Sequence, residues 1–202
     1  MTSYSKSITN LINTFKKLPA VGERTAERYV FSLLKNGRGN VAELQSALSE
    51  LLKNTKSCEV CWNFVDISPC SICADTKRDH NMVCVVADPQ DIISIEKTGA
   101  FRGVYHVLRG LIDMDDEGEN KNIKIKDLLK RIKTDKNITE IILALNPDLP
   151  GETTAMYIEQ EIKNLKLETK IKISRLARGL PMGSDLQYAD EITLGSALKN
   201  RK

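Results

Sequence analysis

The sequence predicts an α/β protein with a helical N-terminal region, a cysteine knuckle and a parallel sheet. In residues 1–56, apolar side chains recur at helical spacing. Four of the five cysteines form two Cys-x-x-Cys pairs within residues 57–74. Beyond residue 80, apolar strands alternate with amphipathic helices. Such alternation indicates a parallel sheet whose strands are joined by right-handed helical crossovers.

Three helices are predicted in the N-terminal region. The first covers 7–17 and ends near Pro19, because the residue before a proline is disfavoured in the helical conformation. The second covers 25–34. A third opens at Asn40, since Asn40 and Glu43 have the spacing of a capping box. The apolar residues expected to face the core from this third helix are Val41, Leu44, Leu48, Leu51 and Leu52.

The pairs Cys58/Cys61 and Cys70/Cys73 predict a structural zinc site. Each two-residue gap lets one tight turn direct both sulfurs to one point, and two such turns complete a closed tetrahedron. The alternatives are a thioredoxin-like redox pair and disulfide bonds, and neither explains why there are two pairs. The fifth cysteine, Cys84, lies in an apolar run and is expected to pack as a small hydrophobic side chain.

The sheet is predicted from the segments beyond the knuckle. Predicted strands cover 82–87, 105–108, 140–145 and 170–174, and predicted helices cover 89–98, 125–132 and 154–165. Asp88 and Pro89 supply an N-cap and a first-turn proline for the first of these helices. The acidic segment 114–120 is expected to be a solvated loop, although carboxylates of this kind also attract cations.

The composition is that of a compact protein. The chain has 202 residues and 41% hydrophobic content, which is enough for a buried core. The first ten residues contain no apolar run, and no later run has the length of a bilayer span. We therefore expect no signal peptide, no membrane association and a cytoplasmic location, where thiolates stay reduced.

Positive charge is concentrated at the N-terminus. Residues 1–56 hold nine Lys and Arg against four Asp and Glu, whereas the remaining residues hold 21 against 23. A polyanionic partner would explain this asymmetry, and an ordinary solvated helical surface would explain it equally well. The charge balance alone therefore does not decide between the two.

The link between the first two helices, Leu18-Pro19-Ala20-Val21-Gly22, resembles a helix-hairpin-helix. The turn of that motif presents backbone N–H groups to a DNA phosphate at a helix N-terminus without reading bases. Gly22 in the turn and Arg24 and Arg28 on the second helix are the candidate DNA contacts. Ala20 stands where the motif usually has glycine, so we expect its φ to be negative. A plain helical hairpin is the alternative.

The order of these parts, together with several short motifs, resembles the RecR family of bacterial recombination mediators. The motifs lie at 95–99, 105–108, 146–147, 151–155, 174–186 and 188–194, so the resemblance covers nearly the whole chain. It implies a Toprim fold, a Rossmann-like parallel sheet, for the sheet domain. It also implies a ring-forming homo-oligomer, a dimer or tetramer, that acts with RecO and RecF to load RecA at single-stranded gaps during DNA repair.

The resemblance divides the chain into four parts. These are a helix-hairpin-helix region at 1–56, a four-cysteine zinc finger at 57–74, a Toprim domain at 80–175 and a short helical C-terminal segment at 176–202. The C-terminal segment contains the Walker B-like motif Tyr188-Ala189-Asp190-Glu191. No Gly-x-x-x-x-Gly-Lys-Ser/Thr loop occurs in the sequence, so ATP hydrolysis is not predicted. The implied location is the cytoplasm, in association with the nucleoid.

Two of the positions that hold magnesium in catalytic Toprim proteins lack an acidic residue in this sequence. Those proteins use a Glu after the first strand and an Asp-x-Asp after a later one. The corresponding residues are Ala87 and Asn146-Pro147-Asp148. Because alanine cannot bind a metal and asparagine supplies a neutral oxygen, we predict no nuclease, primase or topoisomerase activity.

Three acids, Asp88, Asp148 and Glu152, remain near the carboxyl edge of the sheet, where such folds place their functional groups. We expect Asp88 to be an N-cap and Glu152 a first-turn acid. The resemblance also implies that this rim contacts a partner protein.

The leading hypothesis is a non-enzymatic DNA-repair scaffold. The alternatives are a Toprim-type nuclease acting on structured nucleic acid and an adaptor that binds only proteins.

Overall fold

The computed structural model describes residues 4–113, 122–165 and 170–201. The chain divides into two compact units, Met1–Thr55 and Lys56–Lys202, which we call the hairpin unit and the sheet unit. The acidic segment predicted to be a loop at 114–120 lies outside the described residues. None of the helices in the described ranges combines the length and apolar character needed to cross a bilayer.

The hairpin unit contains three helices, α1 Lys6–Phe15, α2 Glu23–Lys35 and α3 Arg38–Asn54. The first two were predicted, and their observed ends differ by one or two residues from the predicted ones. Their facing surfaces bury Ile12, Ala26 and Val30, and the partly buried Ile8, Phe15 and Val21 pack around these three. The apolar periodicity of α1 and α2 therefore packs the two helices into one small core.

Helix α3 begins earlier than predicted. Its N-cap is Gly37, which has a φ of +86°, and Asn40 lies inside the first turn. The predicted capping box at Asn40 and Glu43 is therefore wrong. The physical reason is that Gly37 adopts a left-handed φ at little steric cost, so the chain turns and enters the helix before Asn40.

The apolar face predicted for α3 is exposed in this chain. No side chain of α3 is buried, and Leu48 and Leu52 expose 53% and 85% of their surface. The predicted inward position of Val41, Leu44, Leu48, Leu51 and Leu52 is therefore wrong for the single chain. Periodicity identifies an apolar face of a helix, but it does not identify what covers that face.

The sheet unit begins with a two-stranded antiparallel ribbon, β1 Lys56–Ser57 and β2 Phe64–Val65. Four further strands are β3 Asp79–Val86, β4 Gly103–Val107, β5 Glu140–Ala144 and β6 Lys172–Arg175. They form a sheet in the order β4-β3-β5-β6, and every neighbouring pair is parallel. The predicted parallel α/β sheet is confirmed, with β4 and β6 as its edges.

The described helices of this unit are α4 Ser71–Ala74, α5 Pro89–Glu96, α6 Ile125–Thr134, α7 Leu149–Asn164 and α8 Glu191–Lys199, with a short 3₁₀ helix at Leu186–Tyr188. Helix α5 has the predicted N-cap at Asp88 and proline in its first turn. Helix α7 begins five residues before its predicted start. Asp148 caps it by accepting a hydrogen bond from Gly151 N–H at 2.8 Å, which the sequence analysis did not anticipate.

The sheet unit has a buried cluster on each side of the sheet. One contains Val83, Leu128, Ile141 and Ile158, so it joins the sheet to α6 and α7. The other contains Cys84, Val86, Ile92, Tyr105 and Val107 and is covered partly by α5. Cys84 is buried as predicted, and burial raises the pKa of its thiol to about 12.

Candidate metal centre and nucleic-acid interface

The four predicted cysteines converge on one point of the sheet unit. The first pair lies between β1 and β2, and the second pair begins α4. All four Sγ atoms lie within 4.8 Å of one another, and the Cys61 and Cys70 sulfurs are 3.7 Å apart. A tetrahedral zinc ion with Zn–S bonds of about 2.3 Å separates its sulfurs by about 3.8 Å. The donor set and its spacing therefore fit a metal ion held by four cysteines.

Backbone N–H groups are directed at these sulfurs. Cys70 N–H donates to Cys58 Sγ, and Cys73 N–H donates to Cys70 Sγ, each at 3.4 Å. Hydrogen bonds from the Cys61 and Cys73 thiols lower the pKa of the Cys70 thiol, and the same bonds raise the pKa of the Cys61 and Cys73 thiols. Hydrogen bonds to a sulfur favour its charged form, which is the form that binds metal. The two backbone N–H groups therefore favour the thiolate form of Cys58 and Cys70.

The cysteine knuckle, residues 57–74, is joined to the edge strand β4. Val107 N–H of β4 donates to the carbonyl of Cys61 at 2.8 Å. Arg109, just beyond β4, donates from Nε to Trp62 O at 2.8 Å and from Nη2 to Ser57 Oγ at 2.9 Å. These contacts fix the metal centre against the sheet. Arg109 was not predicted from the sequence, because nothing in its local sequence points to the knuckle.

Helix α6 and the residue before it supply two further cations next to the knuckle. Arg131 Nη1 donates to the carbonyl of Tyr105 in β4 at 2.8 Å. Lys124, which precedes α6, places its Nζ 4.4 Å from the centroid of a Trp62 ring. Burial lowers the pKa of the Arg131 guanidinium, whereas the nearby Cys73, Cys61 and Cys58 oppose that shift. The Asp135 carboxylate opposes the shift as well, so Arg131 interacts with both the cysteine cluster and an acid at the end of α6.

The turn of the helical hairpin is made in a different way from the one expected. Ala20 has a φ of +59°, so the expected negative φ is wrong. Val21 N–H donates to Leu18 O at 3.2 Å, and this closed turn forces Ala20 into the left-handed region despite its Cβ. The turn that the motif usually makes with glycine is therefore formed here with alanine.

The N-terminus of α2 is open to solvent. Gly22 is its N-cap and supplies no side-chain hydrogen bond to the first turn. An ideal Cβ on Gly22 would meet nothing within 4 Å. A shallow concavity at this end is lined by Gly22, Glu23, Arg24, Thr25 and Glu27. Free N–H groups at a helix N-terminus attract anions such as phosphate.

Arg24 and Arg28 are both exposed on α2. Within residues 4–55, the ion pair found links Lys16 and Glu23 at 3.5 Å, and neither arginine takes part in it. Both guanidinium groups are therefore available to a solvent-side partner. They lie one helical turn apart, as predicted from the sequence.

The three acids at the carboxyl edge of the sheet each have a partner within the fold. Asp88 begins α5, and its N–H donates to Asp91 Oδ2 at 2.9 Å. Asp148 caps α7. Glu152 accepts from Arg175 Nη1 at 2.8 Å and also from Arg178. These two arginine partners of Glu152 were not predicted from the sequence.

The backbone between the end of β5 and the first turn of α7 is closely packed. An ideal Cβ on Gly151 would lie 2.1 Å from the carbonyl oxygen of Asn146, so a side chain at this position would collide with backbone. Asn146 and Asp148 therefore belong to a tight helix entry. Among the described residues, the four cysteines are the group of potential ligands that lie close enough together to hold a metal ion.

The Walker B-like motif is part of a helix start. Asp190 is the N-cap of α8, and its Oδ1 accepts from Thr193 N–H at 2.8 Å. The pKa of Asp190 is lowered from its ordinary value by this backbone hydrogen bond. A capping role thus accounts for the acid in this motif.

Comparison with known proteins agrees with the architecture. Three family models match the chain: the RecR helix-hairpin-helix at residues 8–52, the Toprim domain at 81–177 and the RecR C-terminal region at 179–202. The chain is 42% identical over 200 residues to Recombination protein RecR of Bifidobacterium adolescentis, a match that covers 99% of this chain and 98% of that protein. A hairpin, a metal-suited cysteine knuckle and a Toprim sheet thus occur in the order found in one family. The chain belongs to the RecR family of recombination proteins.

Proposed function

We propose that this protein is a non-enzymatic mediator of DNA repair and homologous recombination. In this proposal it binds DNA through its hairpin unit and acts with RecO and RecF to promote RecA loading at single-stranded gaps. The observation that carries it is the open N-terminus of α2 with Arg24 and Arg28 exposed beside it. Such a site binds a phosphate backbone and leaves the bases unread. The site of action is the cytoplasm, at the nucleoid.

The proposal assigns one structural Zn²⁺ to Cys58, Cys61, Cys70 and Cys73. The donor set supports this assignment, since four thiolates form a closed tetrahedral site without a position for a reacting water. Three of these cysteines form the buried centre of the knuckle. The metal would hold the knuckle together and keep it against β4.

The proposal includes a homo-oligomer, and two apolar surfaces support it. One is the exposed face of α3 in the hairpin unit. The other lies in the C-terminal segment, where exposed apolar side chains include Leu186, Tyr188, Ile192 and Leu198. Apolar surfaces of this kind on a monomer mark sites of association. A second copy of the chain is the occupant that we propose, and a ring requires two such surfaces on each copy.

The absence of nuclease activity is also a proposal. It is supported by the partners of Asp88, Asp148 and Glu152, because a carboxylate engaged in capping or ion pairing is poorly placed to hold magnesium. Incubation of the purified protein with nicked, gapped and supercoiled DNA plus magnesium should leave every substrate intact. Strand cleavage that depends on the protein would favour the nuclease alternative.

The DNA-binding site is tested by reversing charge at the hairpin. The double variant Arg24→Glu, Arg28→Glu should weaken DNA binding strongly and flatten its dependence on salt, because counterion release scales with the phosphate contacts made. The matched control is Lys35→Glu, Lys53→Glu, which makes the same change in charge at two exposed positions near helix C-termini of the same unit. Affinity is measured by fluorescence anisotropy at several salt concentrations.

Circular dichroism and mass in solution must show that both double variants fold and assemble as the wild type does. Equal losses in the two variants would mean that overall charge, and not the hairpin site, governs binding. If the wild type binds DNA only when RecO is present, and the Arg24→Glu, Arg28→Glu variant then binds as well as the wild type, the adaptor alternative is correct.

A further inference from the structure

Two partly buried arginines of the sheet unit, Arg109 and Arg131, differ from the others in their partners. Arg78 pairs with Glu96, and Arg175 pairs with Glu152 and Glu159, as partly buried guanidinium groups usually do. In the part of the chain that the structure describes, neither Arg109 nor Arg131 forms an ion pair with Asp or Glu. An unpaired and partly desolvated charge is costly, so these two positions require an explanation.

The Arg109 guanidinium is bonded directly to the cysteine knuckle. Arg109 donates to Trp62 O and to Ser57 Oγ, and these two residues flank Cys58 and Cys61 in sequence. It also lies 3.9 Å from the centroid of the Phe64 ring in β2. The knuckle residues on both sides of the first cysteine pair thus hold Arg109 in place.

Arg131 extends from α6 to the strand edge that the knuckle covers. It donates to Tyr105 O on the free edge of β4, and two residues further on Val107 N–H donates to Cys61 O. Residues of one strand that are two apart point to the same side, so both contacts lie on the edge that the knuckle covers. Together, α6 and the knuckle line a groove to which Trp62 and Arg131 contribute, along with the acids Glu59 and Asp127.

The negative charge of a zinc ion bound by the four thiolates would offset the positive charge of the two arginines. A zinc ion bound by four thiolates has a formal net charge of minus two. Two guanidinium groups supply the same amount of positive charge. Lys124 is a third cation beside Trp62, and the Asp135 carboxylate also acts on Arg131, so the two arginines supply part of the local charge balance. In a partly buried site this compensation stabilises the thiolates and lessens the desolvation cost of the arginines.

We propose that Arg109 and Arg131 are positioning residues of the metal centre, which neutralise its charge and thereby slow the release of zinc. This inference rests on the zinc site assigned above. It concerns residues from outside the knuckle and explains why the knuckle is attached to β4 and α6. Residues that surround a metal's ligands commonly change metal affinity by about 10- to 100-fold when they are replaced.

The test compares Arg131→Met, which removes the charge, with Arg131→Lys, which keeps it. Each purified protein is challenged with an excess of chelator, and zinc release is followed with a metal indicator. Trp62, the one tryptophan in the sequence, gives a second signal from the knuckle itself. We expect Arg131→Met to release zinc about 10- to 100-fold faster than the wild type and Arg131→Lys to restore most of the difference. Arg109→Met should act in the same direction.

The matched control is Arg175→Met. Arg175 is a partly buried arginine on β6, the opposite edge of the sheet, and it has carboxylate partners. Its replacement should destabilise the sheet unit and leave zinc release unchanged. This control separates a loss of electrostatic compensation from a general loss of stability.

Wild-type release rates in folded Arg131→Met and Arg109→Met would overturn the inference. So would equally fast release from Arg131→Met and Arg131→Lys, since that result would assign the effect to shape or to the Tyr105 hydrogen bond. If Arg131→Met does not fold, Arg131→Lys and Arg109→Met decide the question in the same assay. Metal analysis of the wild type stands apart: a protein without zinc refutes the zinc assignment itself.

Discussion

The hairpin unit and the sheet unit bury their apolar residues in very different amounts. In the described part of the hairpin unit, three side chains form the buried cluster, and α3 contributes none of them. The sheet unit has a cluster on each face of a parallel sheet and a third around the cysteines. Because buried apolar area is the main source of stability, we expect the sheet unit to be the more stable of the two.

Removal of the metal should produce the largest effect, and it should be confined to the sheet unit. The knuckle has little apolar core apart from its cysteines, and structural zinc sites supply an apparent binding free energy of about 10–16 kcal/mol. We expect a chelator, with reductant present, to lower the melting temperature of the sheet unit steeply. Circular dichroism and Trp62 fluorescence measure this change. An unchanged melting curve after confirmed loss of metal would show that the knuckle is stable without it.

The second-largest effect is expected when one leucine in each unit is truncated to alanine, because the stability cost should differ between the two units. Leu128 is fully buried in α6, so Leu128→Ala should cost about 2–5 kcal/mol at any protein concentration. Leu52 is exposed, so Leu52→Ala should cost stability only at concentrations where the oligomer forms, because association contributes by mass action. Urea unfolding at several concentrations, together with mass in solution, measures both. A concentration-independent loss in Leu52→Ala would mean that α3 is covered within its own chain.

Acid should act on the sheet unit and spare the hairpin unit, which contains no histidine. His106 is fully buried; its Nε2 is 2.9 Å from Lys124 O, and its Nδ1 has no hydrogen-bond partner among the described residues. Burial lowers the pKa of His106 from 6.5 to about 4. The unfolded chain therefore binds the proton more readily than the folded one, and stability falls as the pH drops from about 6.5 to about 4.

The loss should reach about 3 kcal/mol and level off below about pH 4. Urea midpoints across this pH range should show it in the wild type and not in His106→Gln. The exposed His80 provides the control, His80→Gln. The assignment fails if His106→Gln retains the full pH dependence, because carboxylates would then be its source.

The smallest effect is expected in the hairpin turn. Ala20→Gly should stabilise the hairpin unit by about 1 kcal/mol, since glycine adopts the observed φ of +59° without the steric cost of a Cβ. The control is Ala42→Gly, at an exposed position within α3, which should cost about 1 kcal/mol. Urea unfolding followed by far-ultraviolet circular dichroism, which is sensitive to helix, distinguishes gain from loss. Destabilisation by Ala20→Gly would show that alanine is favoured at this turn.

The sequence predicted those parts of the molecule that depend on local patterns. Helices α1 and α2, the parallel sheet and the N-cap at Asp88 follow from apolar periodicity and from residue types with restricted conformations. The convergence of the four cysteines follows from their spacing alone. In each case the determining residues are close together in the chain.

The incorrect or missing predictions depend on residues that are distant in sequence. The contact of Arg109 with Trp62 and that of Glu152 with Arg175 join segments that only the folded sheet brings together. The side chains of α3 are exposed, and periodicity identifies an apolar face without reporting whether anything covers it. The φ of Ala20 is imposed by closure of the turn against the preference of the residue.

The attachment of the knuckle to β4 has a consequence for handling the protein without its metal. Strand β4 is an edge of the sheet, and its outward N–H and C=O groups at Val107 and Tyr105 are occupied by Cys61 and Arg131. An edge strand that loses its cover is a template for pairing with another chain. If the four cysteines hold the proposed zinc ion, its loss would expose this edge to pairing with other chains, and the protein would aggregate.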